Sequence, residues 1–488
     1  MEHLRKSQEI LPRIIIAVYF CIALLRLIAP TPEAVERLWL EWLGNHILQF
    51  GIPHQLGPEA LLSAGSRWVP QEWLFALILA WCAQYKLDLL PIIIMACLTT
   101  VPLIVTYVRM RNMHADQSGI IFALLWLGTV INANHIEMRA SAAALAAISL
   151  AFAAISCNDR RQFFLPIIVL LLVNIHASSL YIAVLPSVAL ISNLIVHRSF
   201  RITEQRLLIV SIACFLASLT SPFGFSLYEY ACSLGAGSIH HYISEWTPSL
   251  RDLARTDVFL LEAVLSAGLL WAWKHKTLLT PSDVCTVLTS AAMMLYAQRF
   301  IPLFFIATLP FALKNGMRIE LLPMRILEKS RVLNIIVLIS VAPWIFEAMH
   351  NTIRYQHTTI ANRPGLFFAS SWFEAARIGV PSKERVYCTQ FAECNAFLWL
   401  GASTILDGRC DPFPTSIWLK TITINNGSSG WEKTLNELHV NVLVIEKDHK
   451  KLDKDIRNIP QWKKIGETST DDIFLFREPQ GLRDNPSD

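Results

Sequence analysis

Between Leu89 and Val108 the chain runs about twenty residues without a charge, and similar runs recur many times before residue 350. At the rise of an α-helix, a run of that length matches the hydrocarbon thickness of a bilayer, where backbone polar groups must be satisfied within the segment. The composition agrees. Hydrophobic residues are 53% and charged residues only 16%, against roughly 25% charged in an average soluble chain. After about Asn351 the pattern turns to that of a soluble domain. The expected fold is therefore mainly α, a polytopic membrane bundle over residues 1–350 that includes a long outer loop over 30–88. A soluble α/β domain over 351–488 follows it. A net charge of +4 on 488 residues gives no sign of a nucleic-acid partner. Met1 to Arg13 is charged, the apolar run from Ile14 continues to Ala29, and no small-residue cleavage site follows, so the first span is expected to be retained.

Basic clusters orient the spans, because Lys and Arg accumulate in cytoplasmic loops. They lie at Arg5-Lys6, Arg109 with Arg111, Arg160-Arg161, Arg198 to Arg206, Lys274 with Lys276, and Lys314 to Arg331. Spans that keep all of them inside are roughly 14–29, 89–108, 118–131, 140–156, 163–175, 178–196, 207–220, 257–273, 284–297, 300–313 and 332–347. These about eleven crossings leave the N-terminus inside and the tail outside, so the C-terminal domain is expected to be extracytoplasmic. Trp73 to Gln84 is excluded. It is short for a span, and counting it would reverse every later loop, whereas a Trp-flanked helix suits the outer interface. In the tail, Val386–Cys388, Ser403–Leu406, Val440–Glu446 and Ile473–Arg477 read as strands. Phe391–Leu400 and Trp431–Leu438 read as helices between them, which predicts a small sheet with helices packed on it.

Polar residues at the outer ends of the spans are the candidates for chemistry. The first loop holds Glu33, Glu36 and Glu41 beside Trp39 and Trp42, then Glu59, Arg67 and Glu72. A carboxylate here is a general-base candidate if it reaches an acceptor hydroxyl; otherwise it is a solvated charge on an interfacial helix. The turn from Asn132 to Arg139 carries Glu137 and Arg139. Arg139 has the planar fork that grips phosphate, or it snorkels to headgroups. His176, in Asn174-Ile175-His176, sits in a charge-free run from Phe163 to Val196, so it either faces a polar site or is a satisfied core histidine. In the middle loop, Ser221-Pro222-Phe223-Gly224 reads as a helix stop. His240-His241 has no third ligand at a suggestive spacing, and Glu245-Trp246 adds another acid. Arg299 at a tight outer turn is a second phosphate clamp, and Glu262 lies within a span, where an acid is functional or paired. In the tail, Cys388, Cys394 and Cys410 belong to an oxidising compartment. Cys394 with Cys410 is the favoured pair because it closes a longer loop than Cys388 with Cys394. Cys388 with Cys410, and three buried thiols, stay open.

In order along the chain stand Glu36-Arg-Leu-Trp-Leu-Glu-Trp-Leu-Gly44, Phe50-Gly51-Ile52-Pro53, Trp68-Val-Pro-Gln-Glu72-Trp73-Leu74, Arg139, Asn174-Ile175-His176, Ser221-Pro-Phe-Gly224, Glu245-Trp246, Arg299 and Asp407-Gly408-Arg409. This series resembles the polytopic glycosyltransferases of the GT-C superfamily, closest to a bacterial branch related to the protein O-mannosyltransferases. The resemblance implies a membrane bundle with an outer catalytic cleft under the first loop and a soluble cap. It implies an inverting hexosyltransferase that takes a sugar from a polyprenyl-phosphate donor to a glycan, lipid or protein acceptor. A first-loop carboxylate would act as base, with Glu36 at the matching place where the family usually has Asp; Glu137 and Glu245 are the alternatives. Arg139, Arg299 and His176 would hold the donor phosphate. No cofactor is implied for certain, and a divalent metal stays open. The chain departs from the branch at Arg139-Ala140-Ser141, where Arg-Pro-Gln is common, and at Ser221-Pro222, where Asn-Pro is.

Two other classes compete. A transporter calls for internal repeats and broken polar helices near the midplane, and the spans are nearly charge-free. A non-catalytic assembly or scaffold protein fits the altered motifs, since fold alone does not fix function.

Overall fold

The computed structural model describes residues 2–28, 36–115, 117–134, 136–157, 159–236, 243, 246, 280–312, 341–343, 345–346, 349, 384–399, 401–467 and 471–476. Contacts divide the chain into two compact units. One comprises Met1–Ile28 and Leu89–Arg354, the other Ala29–Asp88 and Tyr355–Asp488. The first outer loop, grouped by the sequence with the bundle, thus packs with the tail.

The chain opens with α1 (Glu2–Ile28). Its loop then forms α2 (Glu36–Phe50) and α3 (Trp73–Gln84). The bundle resumes with α4 (Leu89–Asn112), α5 (Gln117–Asn134), α6 (Ser141–Cys157), α7 (Leu165–Leu172), α8 (Ser179–His197), α9 (Ile202–Ser218) and α10 (Ser226–Ala236). Next come α11 (Pro281–Tyr296) and α12 (Ile301–Ala312). Among the described residues, three helices are long and apolar enough to cross a membrane: Ile10–Ile28, Leu89–Asn112 and Ser179–His197. The other described helices of the bundle are shorter, down to the 8 residues of α7, so the expected count of eleven is not reproduced by helix length. The expected crossing over 257–273, with Glu262, lies outside the described residues, and so does most of 332–347.

Within the bundle, α1 packs on α4 and α5, α4 on α6, and α8 on α9 and α11. Rows of large apolar side chains face outward, among them Ile93, Ile94, Ile104, Val108, Ile191, Ile195, Ile209 and Ile212. A helix face of that kind suits lipid, whose tails are as apolar as the side chains. Polar pairs tie the interior. Arg26 Nη1 donates to the Asn132 carbonyl at 2.5 Å. Tyr181 Oη lies 3.2 Å from the hydroxyls of Thr289 and Ser290. Arg109, read above as a cytoplasmic marker, is buried and donates to Ser156 Oγ at 3.0 Å and the Ile306 carbonyl at 3.3 Å. Ser156 donates onward to Asp283 Oδ1 at 2.8 Å. Asp283 also caps α11, accepting from the Thr280 hydroxyl at 2.8 Å, with Pro281 at the first helical position, where its missing N–H costs nothing. Exposed Arg111 is the charge left at that end of α4.

The tail supplies β1 (Arg385–Cys388), α13 (Cys394–Trp399), β2 (Ser403–Thr404), α14 (Thr415–Asn425), α15 (Trp431–Glu437), β3 (Val442–Glu446), α16 (Lys450–Ile456), β4 (Trp462–Glu467) and β5 (Asp471–Phe476). The sheet order is β2-β1-β3-β5-β4. β2, β1 and β3 are parallel, and β5 then β4 add antiparallel. Parallel strands covered on both faces read as continuous apolar runs, and Val-Leu-Val-Ile of β3 does. One face carries Tyr387, Leu443, Ile445 and Phe474; the other carries Val386, Val442, Val444 and Ile473. Leu61 of the first loop packs against the first of these clusters.

One expectation is corrected here. The disulfide joins Cys388 to Cys394, with Cα atoms 5.8 Å apart, and Cys410 stands outside it. The reason is local. Cys388 ends β1 and Cys394 opens α13, so the single turn between them brings the two together. Cys410 is held in its own turn at φ 51°, its thiol directed to the Asp407 carbonyl at 3.6 Å.

Candidate functional site

Glu36 opens α2 in the loop-and-tail unit. It is half-buried, and an acid in the first turn is where the helix dipole favours negative charge. The rest of α2 is fixed firmly. Arg37, 1% exposed, donates to Glu41 Oε1 at 2.7 Å and to Asp88 Oδ1 at 2.5 Å. Glu41 is therefore a structural partner rather than a second base. On another side Gly44 lies against α3 so closely that a Cβ there would meet the Ala76 carbonyl oxygen at 2.1 Å.

A second ionic centre in this unit surrounds Arg409. Its guanidinium forks onto Asp407, Nε to Oδ1 at 2.8 Å and Nη2 to Oδ2 at 2.7 Å. Nη1 donates to Glu59 Oε1 at 2.8 Å, across 350 residues of sequence. The rings of Trp42, Trp68 and Phe413 lie around it, with centroids 4.9, 5.4 and 5.6 Å away. Burial by itself weakens the charged guanidinium; the Asp407 carboxylate beside it, and then Glu59, outweigh that and hold its pKa above the ordinary value. Asp407 also accepts from the Thr404 hydroxyl at 2.7 Å. Gly408 N–H donates to Asn395 Oδ1 at 2.7 Å, and any Cβ on Gly408 would strike that side chain. Sequence reading found the Asp407-Gly408-Arg409 turn but not its partner, because nothing local links it to Glu59. The Arg37–Glu41 pair does carry a sequence signal, the i,i+4 spacing on a helix.

The other candidates belong to the bundle unit. Arg139 Nε lies 2.8 Å from Glu137 Oε2, both side chains about a quarter exposed. Glu137 is thus engaged by a cation. His176 is buried, and its Nδ1 accepts from the Ser178 N–H at 3.1 Å and meets the Ser178 hydroxyl at 2.7 Å. Because Nδ1 accepts a backbone proton, the ring's own proton sits on Nε2 in the neutral form. His176 therefore shapes the turn into α8. Arg299 lies in the short turn before α12, its guanidinium 4.4 Å from the Trp246 ring centroid. Cation–π stacking of this kind orients an arginine. Ser221 to Gly224 forms the expected stop after α9, with Gly224 at φ +50°. Glu33, His240, His241 and Glu245 lie outside the described residues. Among the described residues, no group of three or more His, Cys, Asp or Glu side chains is arranged to hold a metal ion.

Known folds resemble this one. An archaeal oligosaccharyltransferase, AglB from Archaeoglobus fulgidus, solved with an inhibitory peptide and a dolichol-phosphate, matches at TM-score 0.57 and 11% identity, over 90% of this chain and 70% of its own. The oligosaccharyltransferase of the same organism, tethered to an acceptor peptide containing the NVT sequon, matches at TM-score 0.57 and 11% identity, over 89% and 69%. Its complex with Zn and sulfate matches at TM-score 0.50 and 12% identity, over 88% and 68%. No family model and no curated protein matches the sequence. At that identity the likeness is one of fold alone.

Proposed function

We propose that this chain is a membrane glycosyltransferase that moves a sugar from a polyprenyl-phosphate donor to a glycan, lipid or protein acceptor on the outer face of a bacterial inner membrane. The observation that carries it is the fold match over 90% of the chain to an oligosaccharyltransferase solved with a dolichol-phosphate. The resemblance to the bacterial O-mannosyltransferase branch narrows it to a hexosyl donor and an inverting reaction. In that reaction the acceptor oxygen bonds to the sugar's anomeric carbon as the bond from that carbon to the phosphate oxygen breaks. The acceptor proton passes to Glu36, and polyprenyl phosphate leaves with the bonding electrons. Glu36 is the chosen base because it stands at the place in the first loop where the resemblance puts the family's carboxylate, at the start of α2. Arg139 and Arg299 would stabilise the leaving phosphate, a charge that grows in the transition state.

A non-catalytic assembly role is the second reading, favoured by one observation: Arg139 is already matched by Glu137. Purified protein in lipid nanodiscs, supplied with polyprenyl-phosphate hexoses and membrane extract as acceptor, separates the two. Release of polyprenyl phosphate with formation of a glycosylated product supports transfer. No release from any donor, with the protein folded, supports assembly.

A further inference from the structure

We propose that Arg409 and Glu59 form a positioning clamp that sets helix α2, and with it Glu36, from the tail of the chain. The inference rests on Glu36 being the acceptor base. Four observations within the loop-and-tail unit lead to it. The Arg409 centre draws on both chain segments: Glu59, Trp42 and Trp68 from the first loop, Asp407 and Phe413 from the tail. Trp42 is itself a residue of α2, so the guanidinium touches the helix that carries Glu36. The short turn Pro58–Ser63, which bears Glu59, packs on β2, and α13 packs on α2. The Asp407-Gly408-Arg409 turn is in turn fixed by Asn395, the neighbour of disulfide-bonded Cys394.

This links the tail to α2 through side chains with little freedom. The disulfide anchors the start of α13, Asn395 on α13 holds Gly408, Asp407 forks onto Arg409, and Arg409 holds Glu59 and stacks near Trp42. A planar fork is needed to reach two carboxylates while lying among three rings, and a lysine ammonium has no such plane. Arg409 is buried, only 3% exposed, and away from Glu36's own turn, so its role is positional. Misplacement of a reacting group by about 1 Å costs on the order of 10²-fold in rate.

Hydrogen exchange and steady-state kinetics on the full chain in nanodiscs test the clamp with Glu59→Gln and Arg409→Lys. Glu437→Gln, in the exposed Lys420–Glu437 pair, is the control. The expected result is faster exchange over 36–50 and 55–67 in both clamp variants, with β3 and β5 unchanged and the control like wild type. Turnover should fall on the order of 10²-fold in kcat, with the donor KM nearly unchanged and the acid limb of the pH–rate profile displaced, a pattern that loss of folded protein does not give. Unchanged exchange over 36–50 in both variants overturns the clamp, and so does full activity of Arg409→Lys. If wild type transfers no sugar, the assignment of Glu36 as base fails, and the exchange data still decide whether Arg409 and Glu59 fix α2.

Discussion

The bundle and the loop-and-tail unit each bury an arginine, and they satisfy it by opposite means. Arg109 in the bundle meets neutral groups, the Ser156 hydroxyl and the Ile306 carbonyl, with Phe311 5.2 Å away. Asp283 is reached only by way of Ser156. Arg409 meets two carboxylates directly. The first arrangement ties neighbouring helices, and the second ties segments 350 residues apart. The lesson is that a buried guanidinium can be satisfied by neutral oxygens or by carboxylates. The proposed reaction assigns the donor phosphate to the half-buried Arg139 and Arg299 of the bundle and the acceptor proton to Glu36 of the loop-and-tail unit.

The largest effect should come from Glu36→Gln. Loss of a general base lowers kcat on the order of 10²–10⁴-fold, and stopped-time product assays should find that drop with normal expression. Near-normal turnover would move the base elsewhere and erase the division. Next, Arg409→Leu should destabilise the loop-and-tail unit by about 3–5 kcal/mol, because Asp407 and Glu59 are left buried without their cation. Arg109→Leu should cost less, about 1.5–3 kcal/mol, the range for hydrogen bonds from a charged donor. Chemical denaturation followed by protease resistance of each unit measures both, and equal losses would break the contrast.

Much of the bundle was legible in the sequence, since long apolar runs have one reading. The expected 89–108 and 178–196 became Leu89–Asn112 and Ser179–His197, and the twelve-residue apolar stretch in the first loop became α3 with unchanged ends. The tail was half legible. β3 has an apolar run that only a buried strand explains, but α14, Thr-Ser-Ile-Trp-Leu-Lys-Thr-Ile-Thr-Ile-Asn, is rich in β-branched residues with weak helix propensity. β4, Trp-Lys-Lys-Ile-Gly-Glu, is a polar edge strand with a bulge before Gly466, so it lacks strand alternation. The candidate site was least legible. Individual acids and arginines stand out in sequence, yet which of them neutralise one another is a matter of tertiary contact. The same holds for the cysteines, where loop-length reasoning favoured Cys394 with Cys410 and the turn between β1 and α13 decided for Cys388 with Cys394.

Smaller effects sharpen the contrast further. Replacing Cys388 and Cys394 together by Ser should cost about 2 kcal/mol, the loop-closure value for so short a ring, and only in the loop-and-tail unit. Peptide mapping without reductant should recover the 388–394 pair and Cys410 as a thiol. Arg139→Ala and Arg299→Ala should each raise the donor KM about tenfold, the equivalent of ~1.4 kcal/mol, with little change for the acceptor. A change confined to the acceptor would remove both from the phosphate. The smallest effect is at the tail surface. Glu467 is held down to about 2 by its hydrogen bonds to Lys464 and Lys447. A depressed carboxylate stabilises fully above its unfolded value, and that contribution fades as pH falls from about 4.5 toward 2. Lys464→Ala should flatten the acid limb of tail stability in low salt, and an unchanged limb would remove the pair from the account.

The central claim is transfer from a lipid phosphate by a single base-assisted displacement. Its most direct measurement is the anomeric configuration of the product, by NMR, from a polyprenyl-phosphate donor of known configuration. The account predicts a product of inverted configuration formed in step with polyprenyl phosphate. A product of retained configuration, or no product from folded protein, would contradict it.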